Sequence, residues 1–273
     1  MPVPICPLPD AGRIAVTGRS GRVARLVRRV WGDSVRWHGR ADGALAPRLA
    51  GCAALVCLAG VTSGSADTLR GNVTSALGAL DAASEAGLRR VVLMSSAAIY
   101  GRVDCPVHEA RAPRPVAPYG ASKVDMERAV RHWRRSRPDG PDVVILRVGN
   151  IAGADALLGN LRDDTHPALT TFGDGTTPRR SYIGPLTLAR VLARIALHPG
   201  PLPDVMNVAA PGTVAMADLL AEAGRTWRPV PADSAAIPSV DLDVGTLSRL
   251  HRVPHGSAAT LVSEWQACAG QAA

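Results

Sequence analysis

The chain has 273 residues, 47% of them hydrophobic and 20% charged, which suits a compact globular protein and excludes a disordered one. Its formal charge of +8 and pI near 10.0 are carried by arginine, with few lysines, and point to anionic partners of some kind. No zinc-finger spacing, RNA-binding signature or basic tail accompanies that charge, and no apolar run reaches the ~20 residues of a membrane span, so neither nucleic acid nor membrane is expected as a partner.

Pro2, Pro4, Pro7 and Pro9 interrupt the first ten residues too often for the apolar core of a signal peptide, and the expected location is cytoplasmic. From Arg13 onward, short β-branched or apolar runs alternate with longer amphipathic stretches, the pattern of βαβ units and a parallel sheet. The spacing predicts strands at Arg13–Thr17, Ser34–His38, Ala54–Leu58, Arg90–Ser95 and Val143–Arg147. Helices are predicted at Gly21–Val30, at Leu69–Ala86, stopped by Gly87 as a natural C′ residue, and at Tyr119–Arg135. The densest basic run, Arg128 to Arg137, continues this last helix and reads as a solvated face. Beyond Asn150 loops and short elements take over, with a turn-rich stretch at Phe172–Pro178 and helices expected at Leu186–Ala196, Ala215–Ala223 and Ala258–Ala267. The cysteines, Cys6, Cys52, Cys57, Cys105 and Cys268, are scattered without metal-ligand spacing, so reduced thiols and no metal site are expected.

The segment Ile14–Arg25 reads strand, glycine turn, helix, with Gly18, Gly21 and Ala24 in a G-x-x-G-x-x-A spacing. Glycine permits a tight turn and close approach of the backbone to a pyrophosphate, whose charge then meets the amides of a helix N-terminus. Gly18, Arg19, Ser20, Gly21, Arg22 and Val23 are therefore candidates to face a dinucleotide. The expected fold is α/β: a Rossmann-type doubly wound parallel sheet over residues 1–154, rejoined by the chain near 181–200. A small C-terminal substrate lobe over residues 155–273 would lie at the carboxyl ends of the strands, where open α/β sheets bind ligands. After the second strand a carboxylate would favour NAD(H), through the adenosine ribose, and an arginine NADP(H). Gly39 and Arg40 occupy that region, no carboxylate precedes Asp42, and Arg19 adds a second cation, so NADP(H) is expected over NAD(H).

The fourth strand ends in Ser95 and Ser96, and the helix that follows opens with Tyr119 and Lys123, four residues apart and so on one face. A phenol is a poor base at neutral pH, but an ammonium nearby favours the phenolate and makes proton exchange with a hydroxyl or carbonyl feasible. Tyr119, Lys123 and Ser96 are the candidate catalytic residues. Tyr119 and Lys123 would also border the cofactor together with Ser95.

These motifs, with LAG at Leu58–Gly60, Asn72-Val73 opening a helix, LRVGNIAG at Leu146–Gly153 and RSYIGPLTLAR at Arg180–Arg190, resemble those of an extended short-chain dehydrogenase/reductase of the NAD-dependent epimerase/dehydratase family. The resemblance implies that Leu58, Ala59 and Gly60 border the cofactor, and that Asn150 and Arg180, with Ser96, face the substrate. It further implies a homodimer built from Leu69–Ala86 and Tyr119–Arg135, although the arginines of the second helix would repel across a two-fold axis. Ala97 and Ala98 replace the acidic pair of the family's dehydratases, which speaks against dehydration. The stretch from Asn150 to Arg180 is short for a full nucleotide-sugar enzyme. The expectation is an epimerase or oxidoreductase acting on a secondary alcohol or ketone of a sugar or nucleotide sugar. The alternatives are an NADPH-dependent reductase of a smaller carbonyl and a dinucleotide-binding redox sensor.

Overall fold

The computed structural model describes residues 13–103, 106–162 and 166–269. The proline-broken start, Cys6 and Cys105 lie outside these. Among the described residues Cys52, Cys57 and Cys268 are free thiols and no cluster of metal-ligating side chains occurs. No described helix is long and apolar enough to cross a membrane.

The first half repeats strand and helix in the predicted order: β1 (Ile14–Thr17), α1 (Arg22–Trp31), β2 (Arg36–His38), β3 (Ala54–Cys57), α2 (Ala66–Glu85), β4 (Arg90–Ser96), α3 (Pro118–Ser136) and β5 (Asp142–Val148). The second half contains β6 (Asn150–Ile151), β7 (Ala168–Thr171), β8 (Arg179–Arg180), β9 (Tyr182–Ile183), α4 (Pro185–Ala196), β10 (Val205–Val208), β11 (Val214–Ala215), α5 (Met216–Glu222), β12 (Arg228–Pro231), β13 (Ser239–Val240), α6 (Gly245–Leu250) and α7 (Ala258–Ala269). Six strands form one parallel sheet in the order β10-β5-β4-β3-β1-β2. The sixth, β10, was not predicted. The other strands pair in short ladders, β11-β8-β13, β12-β7 and β6-β9, which with α5 and α7 make the C-terminal lobe.

Alternation along the strands divides the core into two layers. Ile14 and Val16 of β1 face α1 and α4, packing with Val27, Leu188, Val191, Leu192 and Ile195. Ala15 faces the other way, with Leu55 and Cys57, toward Leu80 and Ala83 of α2 and Met126, Val130 and Trp133 of α3. Burying each Val or Leu side chain contributes roughly 1.5–3 kcal/mol, so these layers supply most of the cohesion. The arginine run at the end of α3 stays outside and meets carboxylates: Arg128 pairs with Asp125, Arg134 with Asp204 and Arg137 with Asp81.

Two polar clasps hold the ends of α4, one to the first half of the chain and one to α7. Arg90, fully buried at the amino end of β4, donates Nη1 to the carbonyls of Ile195 (3.1 Å) and His198 (2.6 Å), and Nη2 to Gly200 (2.7 Å) and to Asp142 (3.2 Å). It thereby satisfies carbonyls at the end of α4 that the helix leaves open. At the other end of α4, Glu264 of α7 accepts the Thr187 N–H at 2.9 Å, a cap supplied from another helix. A Cβ on Gly184 would stand 2.1 Å from that carboxylate, so only glycine lets the two helices meet there.

Candidate active site

Parallel pairing in register brings Thr17, Cys57, Ser96 and Val148 to one edge of the sheet, and the loops that follow them converge. The glycine turn after β1 is tight: Gly18 has φ +82°, and its carbonyl accepts the Gly21 N–H at 2.8 Å. A Cβ on Gly18 would lie 2.5 Å from the Ala59 nitrogen, so the turn is pressed against Leu58-Ala59 and leaves the start of α1 open to an anion. Val23, in the first turn of α1, lines a cavity of about 460 Å³ that also contains Ser96, Tyr119, Asn150, Asp155 and Arg180. Arg22 is exposed, reaching toward the Asp155 carbonyl (3.4 Å), and the Ser20 carbonyl accepts Arg25 at 2.8 Å.

Tyr119 and Lys123 are set by how α3 begins. Pro118 occupies its first turn, and a Cβ on Gly120 would stand 2.5 Å from the Ala98 carbonyl, so the helix docks directly on the turn Ala97–Ile99. Ser96 opens that turn, its Oγ accepting the Ala98 N–H at 3.1 Å, and it lines the same cavity as Tyr119, where its hydroxyl favours the phenolate. Lys123 is 4% exposed, and its ammonium donates to the Met94 carbonyl at 2.8 Å and stands 5.9 Å from the centre of the Tyr119 ring. Burial pulls Lys123 down to about 8, opposed by Glu127 and then Cys57. Burial also raises Tyr119, opposed by Ser96. The sequence-based expectation of a phenol drawn down by the lysine is not met: burial is the larger influence, and the group opposing it is Ser96 rather than Lys123.

Asn72 holds the third strand's loop to this helix. Its amide accepts from Val61 N–H (3.0 Å) and donates to the Val61 carbonyl (2.9 Å) and Ser122 Oγ (3.0 Å). It sits well inside α2, which opens at Ser65 with a side-chain cap, so the motif does not open the helix as expected. A Cβ on Gly60 would come 3.4 Å from Lys123 Nζ, which sets the cofactor-side loop beside the lysine. Asn150 lines the cavity beside Asp155, whose carboxylate accepts the Tyr182 hydroxyl at 2.9 Å. Arg180 faces the same cavity while donating to the carbonyls of Arg179 (2.7 Å) and Ile237 (2.9 Å). Asp155 carried no sequence signal of its own.

Two other expectations need correction. Ser95 does not face the cofactor side: it is buried, and its hydroxyl donates to Glu127 at 2.7 Å on the far face of the strand, as alternation from Ser96 requires. The end of β2 is also not purely cationic. A 3₁₀ turn at Arg40–Asp42 folds the Asp42 carboxylate back onto the Gly39 N–H (2.8 Å) and within 3.2 Å of Arg19, while Arg40 points outward, exposed. The Gly39 amide and Arg19 hold Asp42 below its usual range.

A further signal was present in the sequence and passed over. Lys123 is the one lysine in 273 residues that contain thirty arginines. Where a cation is needed only for solubility this sequence uses arginine; here it keeps a compact, titratable amine.

Residues 49–209 match the model of the NAD dependent epimerase/dehydratase family. The chain belongs to that family. A UDP-glucose 4-epimerase of Azospirillum brasilense is 34% identical over 170 residues, 52% of this chain and 47% of that protein. One from Streptococcus mutans is 31% identical over 198 residues, 63% of this chain and 59% of that protein. The chain thus matches about half to three-fifths of the length of these curated relatives. Among solved structures, the UDP-glucuronic acid 4-epimerase from Bacillus cereus, in complex with UDP-glucuronic acid and NAD, superposes with a TM-score of 0.75 at 18% identity, covering 94% of this chain and 98% of that one. MoeE5 in complex with UDP-glucose and NAD gives 0.72 at 21% identity, covering 93% and 98%. These likenesses establish the fold.

The expectation of NADP(H) is overturned. The family is described as NAD dependent, and the similar structures that name their bound dinucleotide hold NAD. The physical reason lies at the end of β2, where one of the two supposed phosphate-binding arginines is already paired with Asp42.

Proposed function

We propose that this protein is an NAD-dependent epimerase or oxidoreductase acting on a secondary alcohol of a sugar or nucleotide sugar. The observation that carries the reading is that Tyr119 and Ser96 line one cavity, with the Lys123 ammonium buried 5.9 Å from the Tyr119 ring centre, near a glycine turn able to seat a pyrophosphate. The residues fit NAD. Gly18 and Gly21 leave room for the phosphates at the start of α1, Asp42 offers a carboxylate to the adenosine ribose, and Lys123 lies beside the loop at Gly60. Bound NAD would supply the hydride acceptor and donor.

Tyr119 exchanges the proton of the substrate hydroxyl as the C–H hydride leaves or returns. With burial raising its pKa, it stands as the phenol, the form that donates in the reducing direction. Oxidation needs the phenolate, for which the Ser96 hydroxyl and the charge of Lys123 are the supporting groups. Ser96 also orients the reacting oxygen. Asn150 and Arg180 present amide and guanidinium donors to the rest of the substrate, a phosphate included. Residues 1–154, with the return at 181–200, would hold the dinucleotide, and 155–273 would close over the substrate.

The test is incubation with NAD or NADP and a panel of UDP-linked sugars, following reduced nicotinamide by absorbance and sugar configuration by proton NMR. Epimer formation or NAD reduction, with NAD bound at least about tenfold more tightly than NADP, is expected. Equal or better turnover with NADP, or no reaction with any sugar, would overturn it.

A further inference from the structure

Glu127 lies one helical turn beyond Lys123 on α3 and is fully buried. A carboxylate in that position is costly unless its charge and lone pairs are met. Four donors meet it: Ser95 Oγ (2.7 Å) and Arg147 Nε (3.1 Å) on Oε1, and Arg147 Nη2 (2.8 Å) and Arg131 Nη2 (3.0 Å) on Oε2. Arg147 extends the network by donating Nη1 to the Tyr100 hydroxyl at 3.0 Å and to the Glu109 carbonyl at 2.8 Å. Tyr100 in turn donates to Asn207 Oδ1 at 2.7 Å. These bonds tie α3, β4, β5 and β10 together behind the turn that carries Ser96. None of the four linked side chains, Glu127, Arg147, Tyr100 and Asn207, lines the cavity. Apolar residues of similar volume would often hold the same elements together as well or better, so cohesion alone does not account for two charges kept in the interior.

We propose that Glu127 is a positioning residue for Lys123: its clamped carboxylate keeps the ammonium charged inside the protein and fixes α3 in register against β4. The proposal rests on the reading in which Lys123 supports Tyr119. The titratable groups facing Lys123 are Glu127 and Tyr119 on its own helix and Cys57 on β3. Burial pushes the Cys57 thiol up to about 12, so it is neutral in the working range, and Tyr119 stands as the phenol. Glu127 is left as the standing negative charge, tempered by the guanidiniums of Arg147 and Arg131 bound to it. Burial draws Lys123 down to about 8, and of the two charges that oppose that fall Glu127 is the larger.

Protein labelled with ¹³C at lysine Cε gives one resonance from this sequence, and its titration reads Lys123 with no substrate present. The midpoint is expected near pH 8 in the native chain. In Glu127→Gln it is expected roughly one pH unit lower, with the alkaline loss of turnover moving by the same amount and kcat falling more than KM. That variant leaves Arg147 buried without its carboxylate and is at risk of unfolding. The pair variant Glu127→Leu/Arg147→Met, which removes both charges, is therefore titrated beside it, and the same downward direction is expected. A midpoint unchanged in either folded variant overturns the proposal, whatever happens to the melting temperature. Absence of turnover with every sugar counts against the functional reading alone, because the lysine titration does not depend on it.

Discussion

Arg90 and Arg147 are both buried in the central sheet, one at the amino end of β4 and the other near the carboxyl end of β5, yet their partners differ in kind. Arg90 meets three backbone carbonyls and a largely exposed Asp142. Arg147 meets Glu127, which has no exposure at all, and through it the helix that carries Tyr119 and Lys123. The difference teaches how one residue type serves two purposes in one sheet. At the amino end a cation closes a helix and holds the layers together; at the carboxyl end a cation secures a buried carboxylate one turn from Lys123.

The sharpest way to break this comparison is to remove chemistry from one end and cohesion from the other. Tyr119→Phe is expected to lower turnover by ~10²–10⁴-fold, followed as reduced nicotinamide, while folding and NAD affinity stay close to those of the native chain. Arg90→Met should leave turnover per folded molecule intact and cost roughly 3 kcal/mol in urea unfolding, because three carbonyls lose their donor in the interior. A large loss of turnover in this second variant would show that the two ends are not separable.

Lys123→Met sharpens the contrast from the other side. Burial holds the amine at about 8, below its unfolded value, so between those two values the unfolded chain binds more protons and stability rises with pH. At pH 7 the buried ammonium is a burden on the fold. The substitution is expected to raise stability by on the order of 2 kcal/mol after allowing for the lost bond to Met94, while removing activity. Urea midpoints at pH 7 and at pH 9.5 check the sign, since the gap between native chain and variant should narrow as pH rises. The smallest effect is expected at Glu264→Gln, about 1 kcal/mol in the same assay, because the amide keeps one acceptor for the Thr187 N–H, while the Thr187 hydroxyl must turn to accept from the new NH₂ and the charge at the start of α4 is lost.

What could be read from the sequence follows the same division. Strands such as β1 and β4 were legible because parallel strands buried on both faces are runs of Val, Ile, Leu and Ala, and the end of α2 because Gly87 punctuates it; its start, capped by Ser65, lies three residues before the expected Leu69. β10 escaped because VMNV follows a proline-rich link and carries Asn207, a polar residue that is fully buried only because Tyr100 and two carbonyls meet it. The short ladders of the second half contain two to four residues each, too few for a period to register. Asp42 was read as lying beyond the strand, when a single 3₁₀ turn returns its carboxylate to Gly39. Ser95 was legible and misassigned: adjacent strand residues point to opposite faces, so it could not share a direction with Ser96. Asp155 and Glu127 depend on contacts across 27 and 20 residues, which no local pattern announces.

The solitary lysine has a practical consequence. A lysine-specific endoprotease has one place to cut this sequence, after residue 123, in the second turn of a helix packed against the sheet. Two fragments of known mass would therefore appear only as the seam between α3 and β4 opens, and their rate of appearance would gauge, with a single peptide bond as the reporter, how firmly that corner is closed.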